Sequence, residues 1–107
     1  MKLKIFVDEH EHTIKVPDQI VADAEDYFTM LDNDMENGFQ MSRTWVAKPD
    51  QLQRCQIVSD RILTALEQNN QETATLMAAY ILCRVPNAYA MHLNLEGDMT
   101  LYDLETR

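Results

Sequence analysis

Polar and apolar residues alternate in KLKIFV, residues 2–7: Leu3, Ile5 and Val7 point one way and Lys2 and Lys4 the other. A period of two is the signature of a half-buried β-strand. HTIKV, residues 12–16, alternates again with Ile14 and Val16 in phase, and the polar DEHE between the two runs reads as a turn. An N-terminal β-hairpin is expected. Pro17 ends it, and Asp18 suits a helix N-cap.

From residue 19 the period changes to that of a helix. On a wheel turning about 100° per residue, Ile20, Ala24, Tyr27, Phe28, Leu31, Met35, Gly38, Phe39, Ser42, Trp45 and Val46 fall in one sector, which Met30 and Met41 widen. Asp32, Glu36, Gln40 and Arg43 lie in the opposite half. The phase carries through Asn37-Gly38, so one long helix over about 19–47 is expected. Charge order agrees: acids crowd its start and bases its end, matching the helix dipole. The rival reading breaks the helix near Gly38, because Asn-Gly is a turn and C-cap signal and glycine inside a helix costs about 1 kcal/mol relative to alanine.

Pro49 stops this segment and opens a second helix over 49–69, with Leu52, Cys55, Val58, Ile62, Leu63 and Leu66 on one face. EQNNQE is a tight connection, and Asn69 with Glu72 resembles a capping box. A third helix, 71–85, is apolar almost all round from Leu76 to Val85, which places it centrally or beneath another subunit. YAMHLNL (89–95), the turn Glu96-Gly97-Asp98 and MTLYDL (99–104) form a C-terminal hairpin. The order ββ-ααα-ββ specifies an α+β domain, simplest as one small antiparallel sheet covered by helices.

The bulk properties narrow the partners more than the chemistry. A chain of 107 residues fits a single domain. Its formal charge of −9 argues against nucleic acid and against anionic membrane surfaces. It favours solubility, or contact with a basic protein surface. No apolar run approaches the ~18 residues that span a bilayer, and no leader-like segment opens the chain. A cytoplasmic setting with Cys55 and Cys83 as free, packed thiols is the expectation.

LDNDMENGFQMS, residues 31–42, resembles a calcium loop at first sight. An EF-hand loop requires oxygen ligands at positions 1, 3 and 5, glycine at 6 and glutamate at 12. Counted from Asp32, the glycine comes one place late and position 12 is Arg43; counted from Asn33, position 3 is Met35 and position 12 is Thr44. Neither register binds calcium. His10 and His12 form an H-x-H pair which, on a strand, would point both imidazoles to one face, a start towards a transition-metal site. A third ligand, His92 or an acid, would have to join them. No cofactor is otherwise indicated.

Asp34 falls inside the apolar sector of the expected helix, where a carboxylate needs a cation; Arg54, Arg61 and Arg84 are the candidates. Tyr27, Met30, Met41 and Trp45 line one flank of that helix, with Asp34 among them and Arg43 beside Trp45, the aromatic-plus-arginine composition of an interface. Neither cysteine sits in a CxxC or beside an organised base. The reading that follows is an oligomeric interaction module of adaptor or regulatory type, binding its own copies or a basic protein surface through this flank. The alternatives are a metal-binding module at His10 and His12, and a small ligand-binding domain or enzyme with a pocket near Asp34 and Trp45.

Overall fold

Strand alternation and a two-residue turn build the first hairpin. In the computed structural model, which describes residues 1–107, β1 (Lys2–Val7) pairs antiparallel with β2 (His10–Lys15). Asp8, with φ of 54°, opens the turn in the left-handed region, which aspartate tolerates better than most residues. The turn is shorter than the four-residue DEHE, and His10 already belongs to β2. Leu3, Ile5 and Val7 are buried on one side of the sheet, as their alternation requires.

The chain then departs from the single long helix. α1 (Asp18–Asp23) and α2 (Glu25–Glu36) meet at Ala24, whose φ of −97° and ψ of 17° kink the axis. Asp18 lies in the first turn of α1 and makes no side-chain cap. α2 stops at Asn37, and Gly38 takes φ of +103°. The chain goes on into a second, separate hairpin, β3 (Phe39–Met41) and β4 (Thr44–Val46). The Asn-Gly signal therefore prevails over the wheel. The wheel kept its phase because FQM and TWV are each only three residues long, too short for a strand's period of two to be told from a helical face. The dipole argument fails for a tertiary reason: Asp32, near the C-terminal end of α2, is met by arginines from other helices, and Asp34 and Glu36 stand in water.

α3 (Gln51–Glu67) opens with a complete capping box: Asp50 accepts from the Gln53 amide at 2.8 Å, and the Gln53 side chain accepts from the Asp50 amide at 2.9 Å. Pro49 precedes this cap. α4 (Gln71–Arg84) is capped by Asn70, which accepts from the Thr73 amide at 3.1 Å. Asn69, the expected cap, instead takes φ of 56° to close α3. α4 is buried on nearly every side, with Tyr80, Ile81, Ala78 and Ala79 fully enclosed, so its apolar circumference reflects a central position within the chain.

β5 (Ala88–Leu93) and β6 (Asp103–Thr106) complete the main sheet in the order β2-β1-β5-β6. A 3-10 turn at Met99–Leu101 replaces the first half of the expected final strand. β5 lies parallel to β1, so the sheet is mixed and not wholly antiparallel: the helices carry the chain across one face and return it alongside β1 in the same direction. The architecture is α+β, with strand pairs from both ends of the chain in one sheet and the helices packed alongside. Phe28, Leu31 and Met35 of α2, Met41 of β3, and the inner residues of α3, α4, β1 and β5 share one core.

Candidate functional site

Ending α2 at Asn37 separates the residues that the wheel had joined. Met41 faces inward from β3 and is buried in the core. Tyr27 is half-buried on α2, its ring tilted against Phe28 at 6.3 Å between centroids. Met30 and Asp34 are exposed on α2, and Arg43 is exposed at the tip of the small hairpin. Trp45 pairs with Gln40 across β3 and β4, on the face away from the core. It is 61% exposed. The flank Tyr27–Met30–Met41–Trp45 is therefore not one surface.

The small hairpin is held firmly. Ser42, with φ of 55° at its turn, donates its hydroxyl to the Gly97 carbonyl at 3.1 Å and accepts from the Met99 amide at 3.1 Å. Asp98 in the same loop accepts from the Thr100 amide, and hydrogen bonding from Thr100 holds its carboxyl below the usual range. The indole of Trp45 lies across Gly38. A Cβ on Gly38 would overlap the ring, with Cη2 3.0 Å away. Glycine is thus required twice, for its positive φ and for the space the indole occupies. The result is an aromatic side chain fixed from below and open to water above.

The charged centre of the molecule is Asp32, not Asp34. One carboxylate oxygen of Asp32 accepts from the Tyr80 hydroxyl and from Arg54 Nη1 at 3.3 Å. The other accepts from Arg84 Nε at 2.9 Å and Nη2 at 2.8 Å. Arg84 also reaches Glu25 at 2.9 Å and lies 5.5 Å from the Tyr80 ring centroid. Two of the three candidate arginines are therefore partners of a carboxylate, but of the one two residues earlier, while Arg61 stays exposed. The wheel missed Asp32 because it sits at the edge of the apolar stripe, where a short side chain can reach behind the helix.

Each polar group of this cluster has a partner within it. Burial and the hydrogen bond to Asp32 push the Tyr80 hydroxyl well above its ordinary value. Burial tends to lower Arg84, but its bonds to Asp32 and Glu25 outweigh that and leave it raised. Burial pushes the Cys55 thiol up to about 12, so it is not a nucleophile near neutrality. Burial and Glu25 also raise Cys83. The cluster clasps α2 to α3 and α4.

His10 and His12 lie on the same face of β2, opposite Val7 and Ile5, and share a depression of about 220 Å³ with Leu63, Leu66 and Glu67. His92 is on the other side of the sheet, stacked on Phe6 at 4.8 Å and 3.1 Å from Glu105. No group of three histidine, cysteine or acidic side chains comes together in a way that could hold a metal ion. No cavity is lined by Asp34 or Trp45; the most spacious, about 700 Å³, is an open groove between α1 and α4 with Ile20, Ala24 and Leu76 on its walls. No helix is long and apolar enough to cross a membrane. No family model matches the chain, and neither does any curated protein or solved structure.

Proposed function

We propose that the chain is an interaction module of adaptor or regulatory type, acting as an oligomer and docking to a further protein through the β3–β4 hairpin. The single observation that carries this reading is Trp45, 61% exposed yet pinned against Gly38. An indole left in water on a rigid support forgoes its own burial, and it offers a partner a large contact area at little entropic cost. Arg43 at the hairpin tip adds the second residue type that interfaces favour. The satisfied state of the Asp32 cluster supports the same reading, because it leaves the molecule's most elaborate polar arrangement with a structural task.

Site-specific photo-cross-linking tests this. A benzophenone amino acid placed at Gln40, exposed beside Trp45 on the same face of the hairpin, in cells that produce the protein, is expected to yield a discrete adduct that depends on Trp45. The same group at Glu72, exposed in the first turn of α4, serves as the control. Adducts of equal yield at both positions, or none at Gln40, would contradict the docking role of the hairpin.

A further inference from the structure

We propose that the oligomer is a dimer in which two copies join their main sheets edge to edge through β2, paired antiparallel about Thr13. This rests on the oligomeric part of the reading above and names its surface, which is distinct from the Trp45 hairpin.

The phase of the first hairpin decides which backbone groups are free. Met1 and Val16 exchange both of their hydrogen bonds, Val16 N–H to the Met1 carbonyl at 2.7 Å and the Met1 amine to the Val16 carbonyl at 2.8 Å. In antiparallel strands such doubly bonded pairs alternate with unbonded ones. In the register of this hairpin, 3 with 14, 5 with 12 and 7 with 10 are therefore the bonded pairs. The amides and carbonyls of Glu11, Thr13 and Lys15 point away from β1. β2 is the terminal strand of the sheet, so these six groups form an open edge. Five of the six residues of β2 are exposed. The strand has no proline and its pairing to β1 no irregularity, whereas the opposite edge, β6, is shorter and follows a register shift at Ala88–Ala90. β2 thus lacks the bulge or proline that commonly blunts an edge.

The side chains then select a second copy of this chain. When Thr13 faces the partner's Thr13, all three outward-pointing residues bond across the seam, Glu11 opposite the partner's Lys15 and Lys15 opposite the partner's Glu11. A shift by two residues either way loses one bonded pair and both charge pairs. Within one chain Lys15 lies directly opposite Lys2 and has no acidic partner, an unfavourable arrangement that the partner's Glu11 relieves. Three of the four lysines, Lys2, Lys4 and Lys15, sit on this outer face of β1 and β2. With Asp8 and Glu9 in the turn and Glu11 3.6 Å from Lys4, the hairpin is close to neutral in a chain of charge −9, so the general repulsion between copies is reduced there. A twofold axis through Thr13 keeps both helical layers on one side of an eight-stranded sheet. The Trp45 hairpin is tied to the loop between β5 and β6 and makes no part of the β2 edge, so the dimer displays two free hairpins.

Analytical ultracentrifugation of the full chain over a hundredfold concentration range is the test, run on wild type and on T13P, K15E, the double variant E11K/K15E and W45A. Thr13 donates no bond within its own chain, and proline on an outward-facing edge position is tolerated, so T13P should keep its circular dichroism and melting behaviour while remaining a monomer. K15E should weaken association at least tenfold and E11K/K15E restore it. Wild type and W45A should dimerise alike, and the wild type should show no change in tryptophan emission on dimerisation. A wild type that stays monomeric throughout would overturn both the seam and the oligomeric reading. A dimer that survives T13P but is lost in W45A would overturn the seam alone and place self-association at the hairpin.

Discussion

Replacing Asp32 with alanine should be among the most damaging substitutions of a partly exposed residue in this chain. The carboxylate receives four donors, and its side chain is only 21% exposed, with Arg54 at 24% and Arg84 at 19%. Removing it strands the Tyr80 hydroxyl, which belongs to a fully buried residue, at about 1–3 kcal/mol for an unsatisfied polar group. It also leaves two guanidinium groups without their main partner. Breaking a fully buried pair costs about 3–5 kcal/mol, but both arginines reach some water and Arg84 keeps Glu25, so their share is discounted to about 1–2 kcal/mol. The sum is about 2–5 kcal/mol. For a domain of this size that corresponds to roughly 8–20 °C in Tm. Urea denaturation should show a lower midpoint at unchanged slope. Tyr80→Phe alone should cost about 1 kcal/mol, and a double-mutant cycle of Asp32→Ala with Tyr80→Phe should return a coupling of about 1–2 kcal/mol. Asp34→Ala, two residues on and exposed, should stay within about 0.5 kcal/mol. A loss below ~1 kcal/mol for Asp32→Ala, or an equal effect at Asp34, would refute the clasp.

Gly38→Ala should lose about 1–3 kcal/mol, from the positive φ and from displacement of the indole, with a matching change in Trp45 emission. Trp45→Ala should cost the isolated fold only about 1–2 kcal/mol in chemical denaturation, below the ~3–5 kcal/mol of a buried tryptophan, while removing the cross-linking partner. Stability should also fall in alkali. Burial raises Cys55 from 9.0 to about 12 in the folded chain, so the protonated thiol is favoured by folding; its contribution is complete below pH 9 and is lost as pH rises towards 12. Cys55→Ala should flatten the decline in urea midpoint over that window, with Tyr80 and Tyr102, both raised by burial, accounting for the remainder above about pH 10.

What the sequence revealed depended on how local the deciding forces were. The first hairpin, α3, α4 and β5 are legible because long runs of one period meet clear stops at Pro17, Pro49 and Pro86. The segment 37–47 is not, because two three-residue strands are too short for their period to differ from a helical stripe, and only the φ of Gly38 separates the alternatives. That one misplacement carried Met41 and Trp45 onto a helix they do not share with Tyr27 and Met30. The parallel pairing of β1 with β5 was hidden for another reason: strand direction is set by the path of three intervening helices, not by any residue in the strands. Asp34 drew attention as a carboxylate in an apolar sector, yet it is Asp32 that turns inward, because α2 kinks at Ala24 and its buried stripe is centred on Phe28, Leu31 and Met35. The need for an arginine partner was legible; which aspartate it served was decided by the rotation of one helix.

The docking role of the hairpin depends on Trp45 being open to water in the purified protein, and Trp45 is the chain's only tryptophan. Steady-state emission and acrylamide quenching therefore report on this residue alone. Emission and quenching close to those of free N-acetyltryptophanamide, unchanged between dilute and concentrated protein, are expected from its exposure of 61%. A blue-shifted, quencher-resistant tryptophan in the dilute protein would mean that the indole is already covered, and the hairpin could not then be the free anchor that the interaction requires.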